Sequence, residues 1–352
     1  MKNNHYKNLM ELPGISSHEK RIREYMRSVM EKYPQYEIIQ DKLGSIFAYK
    51  KSEVKDAPTV LVAGHMDEVG LMVKEILDNG AIKVLPIGGL NGEVFISQIM
   101  YVYTKDGKKL PGVIGAIPPH LKEKNQIEIS ALLVDLGTSS KEETLSYGVS
   151  IGDMVLYDTP YIDTVNGQRF IAKAIDNRYG CGLALEAIEK FANIELPFNV
   201  AIGATVQEEV GLRGAETATN LFMPDMFIAL DASPLNDIHQ KDAIGKLGEG
   251  FLLRIYDPKN IMLFPLRNYI EDLANKHQIK YQAYVSMGGT DAAKAIDMHE
   301  GVIATTIGLP ARYIHASVAM ADYFDLDQAR QMLFALLKDL TGEKIKELKE
   351  LM

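Results

Sequence analysis

Short apolar runs recur along the chain, and many of them stop at an acid, a histidine or a glycine. Residues 59–63, 198–206, 226–230 and 301–307 are nearly continuous in Val, Ile, Leu, Phe and Ala, the pattern of strands covered on both faces. Residues 169–175, 248–256 and 281–285 read as further strands. Residues 36–50 alternate like a hairpin, with Leu43-Gly44-Ser45 as its turn. Helical spacing appears in residues 17–33 (Ile22, Tyr25, Met26, Val29, Met30), with Ser16-Ser17 as a cap signal. It returns after Asp176-Asn177-Arg178 (Leu183, Leu185, Ala187, Ile188, Phe191), near residues 266–277, and in residues 325–352, an amphipathic helix with a Lys/Glu-rich tail. Buried strands alternating with helices predict an α/β fold.

From residue 71 to 163 the texture changes. Short apolar segments are broken by Asp78-Asn79-Gly80, Gly88-Gly89, Lys105-Asp106-Gly107 and the glycines at 148 and 152, with few helical periods. This predicts a small β-rich module inserted into the α/β unit, so that residues 1–70 and 164–352 form one discontinuous domain and 71–163 a second. A length of 352 residues agrees with two domains on a prior of about 150 residues each. His120, after Pro118-Pro119, reads as a loop histidine or as part of a loop leaning over a neighbouring site.

Composition removes several functions. A net charge of -9 argues against a basic surface for nucleic acid or anionic membrane. Cys181 is the single cysteine, which leaves neither a disulfide framework nor a thiolate metal site. The polar start lacks an apolar secretion core, and no apolar segment approaches the roughly 20 residues of a membrane span. A soluble, cytoplasmic protein is expected.

The candidate chemistry sits where the apolar runs end. His65, the pair Glu208-Glu209, Asp231 and His315 each follow a predicted strand, and Asp176 stands at a strand-to-helix junction. In open α/β sheets ligands collect beyond the carboxyl ends of the strands. Imidazoles and carboxylates without thiols suit Zn²⁺, Co²⁺ or Mn²⁺, and such a set is large enough for two ions roughly 3.5–4 Å apart. If the strand runs on through Glu208 and Glu209, their side chains face opposite ways and take different tasks, one as ligand and one as proton carrier. Asp67 shares a face with His65 on an extended strand, where it could fix the imidazole tautomer. Blander readings stand beside these: Asp176 as a helix N-cap, Glu208-Glu209 as a solvated loop tip, and His239, His277 and His299 as surface or core histidines. Arg254 interrupts an apolar strand, either to receive an acidic side chain or as a structural ion pair. The loop Gly288-Gly289-Thr290-Asp291 either shapes the same pocket, through Gly289 and Thr290, or only turns the chain.

The motifs Val62-Ala63-Gly64-His65-Met66-Asp67-Glu68-Val69-Gly70, Ala174-Ile175-Asp176-Asn177-Arg178, residues 206–211, Leu230-Asp231 and Arg312-Tyr313-Ile314-His315 together resemble metallopeptidase family 42, the tetrahedral (TET) aminopeptidases, over essentially the whole chain. Residues 206–215 and Arg254-Ile255-Tyr256-Asp257-Pro258 look closest to the glutamyl aminopeptidases of Gram-positive bacteria. The resemblance implies a mixed-sheet α/β/α zinc-aminopeptidase-like catalytic domain, and a small β-barrel-like dimerisation domain inserted in it. It implies two divalent metal ions per subunit, with Asp176 bridging, His65 and Asp231 completing one site, and Glu209 and His315 the other. Glu208 would be the general base, Asp67 would orient His65, and the Asp176–Asn177 peptide bond would be cis. The implied reaction releases N-terminal residues, Glu or Asp before Leu, from short peptides. The implied assembly is a hollow tetrahedral dodecamer built from dimers. Relatives usually follow the last histidine with serine where this chain has Ala316, a change that removes a hydroxyl but no ligand. Two other classes are weighed: an endoglucanase, which adjacent Glu208 and Glu209 and the absence of Trp fit poorly, and a non-catalytic oligomeric binding protein, which would not need Glu208.

Overall fold

The computed structural model describes residues 4–116 and 128–350, so His120 lies outside the described residues. The runs read as buried strands form the centre of a large mixed sheet. Asn199–Thr205, Thr59–His65, Met226–Leu235 and Ile303–Arg312 lie side by side and parallel. Antiparallel strands extend it on both sides: the hairpin Glu37–Gln40/Ile46–Lys50 beyond one edge, and Ala319–Asp322, Arg169–Ala172 and Ile162–Asp163 beyond the other. Phe251–Asp257 also pairs with Ile303–Arg312 and carries Tyr281–Val285 alongside.

Alternation along the central strands feeds two helical layers. Val60 and Val62 belong to the larger core, with Ile175–Phe191, Lys20–Met30 and Tyr323–Asp339. Leu61 and Ala63 face the smaller one, under Arg213–Phe222 and Asp291–Ala295. The result is an α/β/α sandwich. Gly64 lets sheet and helix meet closely, since a Cβ there would stand 2.5 Å from the Gly180 backbone. That close approach brings the end of Thr59–His65 against the start of helix Ile175–Phe191.

The second sheet is built from strands between Gly70 and Leu156, in the order Lys109–Ile114, Gln98–Tyr103, Met154–Leu156, Gly70–Ile76, Ile82–Ile87 and Leu133–Val134. An isolated bridge between Val113 and Asp135 ties its two ends, which nearly closes it into a barrel around Leu71, Val84, Val102 and Val155. Ile162–Asp163 pairs in the large sheet, not in this one.

Two strands run further than their apolar stretches suggest. Met226–Leu235 continues five residues past Leu230, and Ile303–Arg312 five past Ile307, because the two pair with each other along their whole length. In the other direction, Asn199–Thr205 stops before the acidic pair. The closing segment is two helices, Tyr323–Asp339 and Gly342–Glu350. Helix His5–Glu11 was not legible in the polar start of the chain; it is anchored by buried Tyr6, Leu9 and Met10. Among the described residues no helix is long and apolar enough to cross a membrane.

Candidate active site

Pairing between Thr59–His65 and Met226–Leu235 ends at Ala63 and Ala229. Beyond that point the two strands part, and a cavity of about 500 Å³ opens over His65 and Asp231. Asp231 is therefore a mid-strand residue at the point where its neighbour leaves, not a strand-end residue. His315 follows the last parallel strand after Tyr313, and both have positive φ, +63° and +59°. The Asp176–Asn177 peptide is cis, and these two residues have non-helical backbone inside Ile175–Phe191. Asp176 caps no helix; its carboxylate stands between two imidazoles, Oδ1 3.3 Å from His65 Nε2 and Oδ2 3.3 Å from His315 Nε2.

Gln207, at φ +55°, turns the chain out of its strand ahead of Glu208 and Glu209. The opposite-face expectation for an extended pair does not apply, and both acids enter the one cavity. Glu208 Oε2 is 3.8 Å from His65 Nε2, and Glu209 Oε2 is 3.6 Å from His315 Nε2. Asp231 Oδ1 is 3.6 Å from His65 Nε2. Three ligand-like groups result among the described residues, His65/Glu208/Glu209, His65/Asp176/Asp231 and Asp176/Glu209/His315, with Asp176 common to the last two.

Asp67 works differently from the sequence reading. The strand ends at His65, so the shared strand face is lost. The closest partner of His65 Nδ1 is the main-chain oxygen of Asp67 at 3.0 Å, while the Asp67 carboxylate is 3.5 Å away. That carboxylate, fully buried, accepts from Ser16 Oγ (2.7 Å) and from the amides of Glu208 (3.1 Å) and Glu209 (3.2 Å). It clamps the acidic turn. On the other side, His315 Nδ1 is held at 2.7 Å by the Gly89 carbonyl, from the Gly88-Gly89 break that the sequence marked only as a turn.

The electrostatics describe a cluster short of positive charge. Burial raises Glu208 well above the usual carboxylate range, and the negative charges of Glu209, Asp231 and Asp291 add to the rise, against His65. Burial, with Asp176, pushes Glu209 up to about 8. Burial disfavours charge on His315, yet Asp176 and Glu209 outweigh it and lift the imidazole to about 10. His65 is raised in the same way by Glu208, Asp176 and Asp231. Glu209 Oε1 is buried with no hydrogen-bond partner among the described residues, a costly state unless a cation completes it. Imidazole and carboxylate atoms gathered within 4.8 Å suit a divalent ion.

Arg254 and Gly289 both line the cavity. Arg254 is nearly buried; Nη1 donates to the Gly288 carbonyl (2.8 Å), Nη2 to Ser233 Oγ (2.7 Å), and Asp257 Oδ2 lies 3.9 Å away. Thr290 does not reach the cavity; it is fully buried, with its hydroxyl 3.0 Å from that of Thr306. The sequence reading missed Lys259, an exposed cation on the cavity wall whose only signal was the turn after Asp257-Pro258. His239, His277 and His299 belong to none of the ligand groups found among the described residues.

Comparison with known proteins gives the family. The family model described as M42 glutamyl aminopeptidase matches residues 44–332. The chain is 42% identical to the glutamyl aminopeptidase of Lactococcus lactis, over 97% of this chain and 98% of that protein. It is 33% identical to the lysyl aminopeptidase of Pyrococcus furiosus, over 95% and 96%. Among solved structures, the TET1 peptidase of Pyrococcus horikoshii, reported to assemble into a tetrahedron or a large octahedral shell, superimposes with a TM-score of 0.86 at 30% identity, covering 96% of this chain and 99% of that one. The chain belongs to the M42 peptidase family, metal-dependent aminopeptidases that hydrolyse peptide bonds.

Proposed function

We propose that this chain is a dinuclear aminopeptidase that removes N-terminal Glu or Asp from short peptides. The observation that carries the reading is the pair of ligand triads sharing Asp176, with Glu208 beside both. His65 and Asp231 would hold one ion, Glu209 and His315 the other, and Asp176 would bridge; Zn²⁺ and Co²⁺ suit these donors best, with Mn²⁺ next. Divalent ions held there would supply Lewis acidity to the scissile carbonyl and to the attacking water.

The chain's own groups do the rest. Glu208, raised by burial, takes the proton of the attacking water and returns it to the leaving amine. Asp67 holds the Glu208 and Glu209 amides, which fixes where both carboxylates point. Its main-chain oxygen and the Gly89 carbonyl set the Nδ1 partners of His65 and His315, leaving each Nε2 turned to the cavity. The acidic groups around the cavity suit a free α-amino terminus, which favours exopeptidase cleavage.

Arg254 and Lys259 are the cations on the cavity wall, and together they favour an acidic side chain at the first residue. Arg254, bonded to Ser233 and Gly288, is the fixed element, and exposed Lys259 the adaptable one. A leucyl-type preference is the alternative. The family fold and the assembly of the Pyrococcus horikoshii relative support a homo-oligomer, built from dimers through the small barrel and reaching a tetrahedral dodecamer. A cytoplasmic location suits such an enzyme.

The test is a panel of Glu, Asp, Leu and Lys p-nitroanilides, assayed metal-free and with Zn²⁺, Co²⁺ or Mn²⁺, for wild type and Glu208→Gln. Metal-dependent release from Glu and Asp, lost in the variant while metal stays bound, is expected. Preference for Leu would remove the role given to Arg254 and Lys259. Turnover that survives exhaustive chelation would remove the dinuclear reading.

A further inference from the structure

Beneath the ligand cluster lies a second group of buried charges that the reaction does not use. Glu68, Lys173 and Arg178 are each 1% exposed or less. Lys173 Nζ donates to Glu68 Oε1 (2.7 Å), Glu68 Oε2 (2.9 Å) and the Leu12 carbonyl (3.0 Å). Arg178 Nη2 donates to Glu68 Oε1 (3.1 Å) and the Gly14 carbonyl (3.1 Å), and Nη1 to the carbonyls of Leu9 (2.7 Å) and Leu12 (2.8 Å). Arg178 Nε donates to the carbonyl of Met66 at 2.7 Å. Gly14 N donates to Glu68 Oε1, and Glu68 N to the Gly14 carbonyl.

Position gives this group its meaning. Met66 lies between His65 and Asp67, and Glu68 follows Asp67. Lys173 and Arg178 lie three residues before and two after Asp176. The cluster therefore cross-links the segment that carries His65 to the segment that carries Asp176, and ties both to the stretch Leu9–Gly14. A single hydrogen bond across this junction would leave the segments free to shear. A guanidinium spread over Leu9, Leu12, Gly14, Met66 and Glu68 fixes both distance and direction.

We infer that Glu68, Lys173 and Arg178 are positioning residues that set the separation of His65 and Asp176, and through it the affinity and geometry of the metal site. This rests on the reading of His65 and Asp176 as ligands. Ligand-supporting groups of this kind change metal affinity about 10–100-fold when removed. A bulk structural role would instead change stability and leave the bound metal as it was.

Lys173→Met removes the donor to the buried Glu68 Oε2, although Arg178 and Gly14 still hold Oε1, and risks failure to fold. The informative variants are therefore the double Glu68→Leu/Lys173→Met, which replaces the pair by apolar groups, and Arg178→Lys, which keeps the charge but loses the fork. Zn²⁺ affinity would be measured by competition with a chromophoric chelator, the visible absorption of bound Co²⁺ would report coordination geometry, and thermal melts of the metal-free proteins would report stability. Zn²⁺ binding weakened about 10–100-fold with an altered Co²⁺ spectrum, in a protein that still melts cooperatively, is expected for both variants. Wild-type affinity and spectrum in either folded variant would overturn the inference. A wild type that binds neither metal would overturn the ligand reading, and this inference with it. Loss of folding in both variants would assign the cluster to stability alone and also overturn it.

Discussion

Two groups of charged side chains lie within a few residues of each other, and they differ in completeness. In the Glu68–Lys173–Arg178 group, acceptors meet donors: the cations share one carboxylate and the neighbouring main-chain carbonyls. In the group around Asp176, acids crowd acids. Glu209 Oε1 has no partner among the described residues, Glu208 and Glu209 are pushed up, and both histidines are pulled up. Glu68, Lys173 and Arg178 are fully buried, whereas Asp176, Glu208, Glu209 and His315 are only partly so, and completeness separates the two groups. A completed network is scaffold, whereas an uncompleted one of imidazoles and carboxylates has a place for a cation. Asp67 belongs to both kinds: its carboxylate is fully occupied by Ser16 and the turn amides, and what it occupies is the position of Glu208 and Glu209.

The contrast can be broken from either side. The largest effect expected is on chemistry. Glu208→Gln should lower kcat about 10²–10⁴-fold with metal binding retained, read from steady-state kinetics beside metal content. Next comes the completed group, where Lys173→Met should destabilise the protein by roughly 3–5 kcal/mol, measured by denaturant unfolding of the metal-free form; a change under 1 kcal/mol would mean that the pair is not closed as described. Metal removal should follow. At an ion concentration of about 100 times Kd, loading stabilises by about 2.7 kcal/mol, visible as a shift in melting temperature. Smallest is specificity: Arg254→Met should cost Glu over Leu substrates about 1.5–3 kcal/mol in kcat/KM, and an unchanged ratio would assign Arg254 to the wall alone.

A pH series sharpens the metal prediction. Glu209 has its ordinary value of 4.5 when unfolded and about 8 in the folded, metal-free protein. The folded state therefore binds more protons than the unfolded chain between these values, and stability falls as pH rises through them. His315, raised from 6.5 to about 10, acts in the same sense above pH 6.5. Asp176 is depressed, so its contribution is complete above its ordinary 3.8 and lost only as pH falls below it. Metal replaces the excess protons. The gain in melting temperature on adding Zn²⁺ should therefore grow from pH 5 to 8, and a gain that is flat or shrinks over that range would contradict the ligand set.

Much of this was legible before any coordinates. The runs at 59–63, 226–230 and 301–307 gave buried strands because a strand covered on both faces must be apolar throughout. Tyr281–Val285 also appears where it was read as a strand, and the hairpin at 36–50 where alternation placed it. The small barrel announced itself through its turns. Helix Arg213–Phe222 escaped because its apolar face is mostly Ala and Thr, and Ala319–Asp322 because a four-residue strand carries too little pattern. The ends of Met226–Leu235 and Ile303–Arg312 were misplaced for a different reason: their last residues are held by pairing with each other, which no local pattern records.

For the site, the sequence by itself determined which residue types are available: His65, Asp176, Glu208, Glu209, Asp231 and His315, each at or just past an apolar run, with Cys181 as the single thiol. It could not determine which way they point. That both acids of the Glu208-Glu209 pair enter one cavity depends on Gln207 leaving the strand and on Asp67 holding the two amides. That Asp176 faces two imidazoles instead of capping its helix depends on the fold bringing His65 and His315 to either side of it. That Thr290 is buried while Lys259 lines the wall depends on how strands far apart in the chain pack. Residue type and period are local properties, written in order along the chain. Direction and distance between segments are set by sheet register, by backbone approach at Gly64 and Gly180, and by buried hydrogen bonds between residues more than a hundred positions apart, so only the tertiary structure decides them.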